Sequence, residues 1–412
     1  MTPFGYTILG FGGGKAPPVP IAEDLTYSIE ALGVTGSACE IALDPYNENK
    51  CLLGYKDSGN DGVLYAGTID GDVITLGSEV EIGGIYAQQF SIDFDPNVEN
   101  SFICCYQNYV GSGSSNIAHF AVAGTLSGTT ITIGSTTNIS SAETNDYISG
   151  NRVKFNPNRA GQCAVCCTNW DNATRGGALE VKSLTVSGTA VTLVNTYNVH
   201  TTDACYEPTL WWDSSSADMF FMAYKGGGDH GYITPATINS SDVIALGTEN
   251  QFNTSPGSYT MQDGASDDNN PGKFVVIYTT NSREKVYVVC GNLSAYDGTI
   301  SFGTAVLLEE VSGGPYYTMP KIEMDKNTPN KFYAIWSREI NDSAFRGVVG
   351  TLDGTSISVG TIETIKDGNN MMWPRSLVRD PYNPGRFFTF YNQSGDSDNL
   401  FVTGSQIASF EL

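Results

Sequence analysis

One turn recurs seven times along this chain of 412 residues, and it constrains the fold more than any other feature. The stretch "LVRDPYNPGRFFTFY" reads as a strand, a turn around Asp380-Pro381 and a second strand. The same arrangement stands at Asp44, Asp95, Asn156, Asp213, Asp267 and Asp325. In every copy the Asp or Asn precedes a strand-ending residue (Tyr55, Tyr106, Cys167, Tyr224, Tyr278, Trp336 and Tyr391) by 11 positions. Successive copies lie 51 to 61 residues apart, which is the range of propeller blades and similar arrays.

Each of the first six copies is followed by a hairpin with period-two alternation, as in "AGTIDGDVITLG" (66–77) and "GTLDGTSISVG" (350–360). Asp-Gly or Ser-Gly at most of these turns supplies the left-handed backbone a tight hairpin needs. Each unit therefore holds one strand before the Asx turn, one after it and two in the hairpin. Radial repetition of four-stranded antiparallel units is a β-propeller, and the count predicts seven blades over residues 21–412. The seventh copy stops at Leu412, before a final hairpin, while "AEDLTYSIEALGV" (22–34) has the alternation of an outer strand. The expectation is that this N-terminal strand completes the seventh blade, since otherwise two edges stand unpaired.

The repeat reassigns the carboxylates. Seven Asx residues, one per blade, are spread around the ring rather than clustered. Their side chains suit backbone N–H groups two residues on, and Asn156 serves that job as well as Asp. A general acid or base does not tolerate the swap. "LGFGGGKA" lacks the spacing, the hydroxyl residue and the strand–helix context of a phosphate loop. His119, His200 and His230 fall in different blades without metal spacing. Asp57 and Asp61 in "KDSGNDG" are the one candidate for weak calcium binding, but a full calcium loop needs more ligands, so no metal or cofactor is expected. No Ser-His-Asp set, carboxylate pair or "S-x-D-x-G-x-T-W" aspartate box points to an enzyme.

With 44 Asp+Glu against 21 Lys+Arg the chain repels phosphate backbones and anionic membranes, which argues against nucleic-acid binding. The nine cysteines sit largely in apolar strand runs such as "FICCYQ" and "CAVCC". Neighbours on a strand face opposite sides, so these read as small buried hydrophobes of a protein made in a reducing cytosol. No basic segment leads into a signal-type apolar core, and no apolar run has membrane-spanning length.

The Asx and hairpin turns share one face of the disc and are uniform. The loops joining second to third strands lie on the other face and differ in every blade, which is where binding on a rigid scaffold usually sits. Seven to nine residues before six of the Asx positions stands an aromatic: Tyr86, Tyr147, Tyr206, Tyr259, Tyr317 and Trp373. These are the candidate binding residues, an aromatic rim for sugars or an extended partner chain; packing against the neighbouring blade is the alternative use of the same rings. Residues 1–20, "MTPFGYTILGFGGGKAPPVP", lie outside the repeats. Their apolar run (Phe4, Tyr6, Ile8, Leu9, Phe11) before a Gly/Pro spacer suits insertion into a partner's groove or sheet edge, hence an anchor.

A short "GFG" leader followed by repeats such as "NPGKFVVIY", "VAGTLSGTTITIG" and "VVGTLDGTSISVG" resembles repeats in virion proteins of tailed bacteriophages, notably marine ones. The resemblance covers about 390 residues and departs in the third copy, with Asn156 and Cys167, and in the fourth, which lacks the proline. It implies a non-enzymatic virion appendage: a tail- or head-associated fibre or decoration protein, assembled in the host cytoplasm. Residues 1–20 would hold other virion proteins, and a host surface glycan or receptor is the further partner. A polysaccharide-acting enzyme or free lectin is the competing class.

Overall fold

The computed structural model describes residues 25–407 apart from residues 72 and 217 and the segments 84–86, 110–116, 141–149, 172–175, 202–204, 254–260, 281–283, 295–297, 311–316, 339–342, 369–371 and 394–398. Strand β1 (Leu25–Leu43) serves two blades. Its second half pairs with β2 (Lys50–Asp57), which pairs in turn with β3 (Gly62–Asp70) and β4 (Val73–Gly83) to make blade one. Five further antiparallel sheets follow, with innermost strands Gln88–Phe94, Asn151–Phe155, Tyr206–Trp212, Gln262–Ser266 and Tyr317–Met324. Met372–Arg379 begins the seventh.

Closure follows the sequence expectation. The first half of β1 is the outer strand of blade seven, running antiparallel to Asn399–Ile407 from Leu25↔Ile407 to Thr35↔Asn399. The register breaks between Ala31 and Thr35, where the strand leaves one sheet for the next. In blades two, four, five and six the outer strand is split, with two short pieces both bonded to the third strand.

The Asx turns are the most uniform part of the molecule. In all seven, Oδ1 accepts the N–H of the residue two positions on, at 2.8 to 3.1 Å. In all seven the Asx N–H donates to the carbonyl six positions on, at 2.8 to 3.0 Å. A third regularity accompanies these two. The residue five positions after each Asx is left-handed: Asn49, Asn100, Gly161, Asp218, Gly272, Asn330 and Gly385, with φ from 63 to 74. Gly, Asn and Asp tolerate that backbone, which explains their exclusive use there. Each of these carbonyls accepts an N–H near the end of the third strand, from Ile69 in blade one to Ile407 in blade seven, at 2.7 to 3.0 Å.

Blades three and four therefore keep the pattern despite their sequence departures. Asn156 has its own reason. Its amide donates toward Asp218 Oδ1 of the next blade at 3.4 Å, where an aspartate would set two carboxylates together. Blades two and four place an aspartate at the Asx position, and its Oδ2 accepts a glycine N–H at the left-handed position of the following blade: Gly161 to Asp95 at 2.7 Å, Gly272 to Asp213 at 2.6 Å.

Apolar side chains fill the spaces between blades. Cys104 belongs to the core between blades one and two, and its neighbour Cys105 to the core between blades two and three, as strand alternation requires. All nine cysteines are buried and free, and burial pushes thiols such as Cys39 and Cys51 up to about 12.

Candidate binding channel

The innermost strands have one free edge each, turned toward the axis, and buried N–H groups there need acceptors. Hydroxyl and carboxylate residues four positions before the Asx supply some of them. That position holds two acids (Glu40, Asp263), two bases (Arg152, Lys321) and three hydroxyls (Ser91, Thr209, Ser376), with no apolar residue in any blade. Ser91 Oγ accepts Val153 N–H of the next blade at 3.0 Å, and Ser376 Oγ accepts Ile41 N–H at 3.2 Å, joining blade seven to blade one. Two positions further along, Asp93 Oδ2 accepts Phe155 N–H at 2.8 Å.

β-Bulges aim this polar ring. Ala38, Gln89, Glu207 and Met319, each six positions before its Asx, are left-handed with φ of 53, 54, 47 and 45. The strand register slips there, between Ser37 and Glu40, Gln88 and Ser91, Tyr206 and Thr209, and Thr318 and Lys321. Blade three has Gly150 in this place, with φ 76. A bulge re-aims the side chains after it, and non-glycine residues hold this backbone only where their surroundings enforce it.

The ring pinches the axial channel into two compartments. Toward the variable-loop face lies a small one of about 60 Å³, bordered by the bulge residues. Toward the Asx face lies a cavity of about 420 Å³, whose mouth is formed by the residue after each Asx. The mouth is uneven: Pro45, Pro96, Pro157 and Pro381 make one half, Ser214, Asp268 and Lys326 the other.

Charges inside are mostly paired. Arg152 bonds Glu40 across the axis at 2.7 Å, Lys154 bonds Asp93 at 3.1 Å, and Arg379 meets Asp268 at 3.4 Å. Asp263 Oδ1 accepts the Thr209 hydroxyl at 2.8 Å. Two groups differ. Lys321 and Glu323, alternate residues of one innermost strand, make no side-chain hydrogen bond or ion pair with any described residue. Burial pulls the Lys321 ammonium down and is its main perturbation. Burial likewise pushes the Glu323 carboxyl up to about 7, against the opposing pull of Arg379 and Lys154.

That shift has a stability consequence. With its pKa raised on folding, Glu323 binds its proton more tightly in the native chain than in the unfolded one. Its contribution therefore falls as pH rises from the ordinary carboxyl range through about 7. Glu323→Gln is expected to flatten this slope and to stabilise the protein at pH 8 by about 1–2 kcal/mol, after allowance for screening in an open cavity. Thermal unfolding of both proteins at pH 5 and pH 8 checks it; equal slopes refute it.

Of the aromatic rim, Tyr206 alone has a described side chain. It is half-buried, with the Lys225 ammonium 4.8 Å from its ring centre, so it packs within its own blade. Tyr317 and Trp373 lie in strands opposite Arg338 and Asn392. Tyr86, Tyr147 and Tyr259, and the anchor residues Phe4 to Phe11, fall outside the described residues.

Among the described residues no group of three His, Cys, Asp or Glu could hold a metal. Asp57 Oδ1 accepts Asp61 N–H at 2.8 Å, which closes its own loop. His119 is buried against the Thr168 carbonyl at 3.2 Å, and burial draws its imidazole down to about 4. Among the described residues no helix is long and apolar enough to cross a membrane.

No protein-family model and no curated protein matches the chain. Solved structures do. The BP39L lectin from Burkholderia pseudomallei is 9% identical, with 92% of this chain and 98% of that one covered and a TM-score of 0.64. A protein of unknown function from Dyadobacter fermentans is also 9% identical, with 94% and 99% covered and a TM-score of 0.51. At such identities the likeness is one of fold.

Proposed function

We propose that this chain is a non-enzymatic binding propeller of a virion, anchored through residues 1–20 and engaging a surface glycan or receptor with its variable-loop face. The observation that carries this is the polarity of the disc. Leu25 pairs with Ile407, and Ile407 N–H bonds the Gly385 carbonyl in the seventh Asx turn. Leu25, the first described residue, therefore stands at the uniform Asx face. An anchor there turns the variable loops outward, on a scaffold whose Asx side chains are committed to turns. The lectin of the same fold supports a glycan as ligand, and the repeat resemblance supports the virion.

Proteomics of purified particles, with and without residues 2–14, tests the placement: absence from particles, or attachment that survives the deletion, refutes it. Glycan-array binding by Tyr259→Ala and Tyr317→Ala tests the face. Loss of at least tenfold in affinity at unchanged melting temperature is expected, as about 1–3 kcal/mol rides on a stacked ring. A lowered melting temperature with binding intact assigns the rings to packing.

A further inference from the structure

The larger channel compartment faces away from the variable loops, so what it does is independent of the glycan reading. Its lining is mostly explained by structure, because Ser91, Ser376 and Asp263 of the polar ring accept inner-edge N–H groups and the ion pairs neutralise one another. Lys321 and Glu323 are left over. Both are half-buried in the lining, with oppositely charged neighbours acting on them but no described one within ion-pair distance, and neither satisfies a backbone group.

The order of these groups along the axis defines what they fit. Lys321 lies deep, at the level of Glu40 and Arg152, which border both compartments. Glu323 lies one pleat nearer the Asx mouth, about 7 Å away along the strand. One cation beneath one acid, neither in a direct ion pair with a described residue, is complementary to a ligand carrying a carboxylate and an ammonium close together. The 420 Å³ of space leaves room for a side chain beyond the head groups.

We propose that this compartment binds a small zwitterion of the α-amino-acid kind, its carboxylate toward Lys321 and its ammonium toward Glu323. The ligand enters between the proline and polar halves of the mouth.

The test screens the free proteinogenic L-amino acids by thermal shift on the full chain, then measures the strongest by calorimetry. One site per chain is expected. Lys321→Met and Glu323→Gln should each weaken binding by roughly tenfold to a hundredfold, the worth of one hydrogen bond to a charged group. On the wild-type protein, the carboxamide and the N-acetyl derivatives of that amino acid should lose as much. Lys321→Met should no longer distinguish the acid from its amide. This last comparison holds even if the Glu323 variant folds poorly. Absence of binding by every amino acid overturns the proposal, as does equal binding of acetate or of the capped derivatives, or affinity unchanged in both variants.

Discussion

Removal of residues 1–35 is expected to abolish cooperative unfolding and drive the protein into aggregates, whereas removal of residues 1–24 leaves its melting temperature within about 2 °C. The difference lies in the first half of β1. Without it the strand Asn399–Ile407 loses its whole outer partner, from Leu25↔Ile407 to Thr35↔Asn399. At about 1 kcal/mol net for each ladder hydrogen bond, the loss is on the order of 5–8 kcal/mol, comparable with the entire stability of a typical domain. An exposed edge also templates pairing with another chain. Calorimetry and size-exclusion chromatography of the two truncations check this, and a monomeric, cooperatively melting 36–412 fragment would refute it.

Asp213→Ala carries the second large effect. This buried carboxylate accepts Ser215 N–H at 3.1 Å, the Ser215 hydroxyl at 2.5 Å and, across the blade boundary, Gly272 N–H at 2.6 Å. Hydrogen bonds to a charged group contribute about 1.5–3 kcal/mol each, and the Gly272 N–H is left buried without an acceptor. A destabilisation of about 3–5 kcal/mol follows, a fall in melting temperature of about 5 °C for a chain this long. Asp213→Asn should lose less, because its oxygen still caps the turn while its amide faces the Gly272 N–H. A change below about 1 kcal/mol, measured by denaturant unfolding, would exclude the bridging role.

Much of this architecture is legible in the chain because it depends on local chemistry. An Asx side chain and a Gly-containing hairpin turn act within a few residues, so their spacing exposes the blade. Closure is legible because both ends show the same deficit. The polar ring was accessible by the same comparison of copies: "EIALD", "SIDFD", "RVKFN" and "KIEMD" all start on a polar residue four before the Asx. Period-two alternation conceals it, since a polar residue between apolar ones reads as an ordinary solvent-facing position. The bulges that aim the ring have no residue signature, as Ala38, Gln89, Glu207 and Met319 share no chemistry. Nor can one sequence reveal that Arg152 finds Glu40 across the axis. The residues left unpaired emerge only once every other pairing is drawn.

The hydrogen bonds that cross blade boundaries bear on how such a protein can be rebuilt. Ser91 serves Val153 and Asp95 serves Gly161 at one seam, Ser376 serves Ile41 at a second and Asp213 serves Gly272 at a third, so at these seams one segment supplies what the next one lacks. A blade is consequently not a cassette. Grafting one into another slot, or inserting an eighth, mismatches a donor–acceptor handshake at two seams, even where the apolar cores are compatible. Engineers wanting new loops on this disc should exchange the loops and leave the seams in their native order.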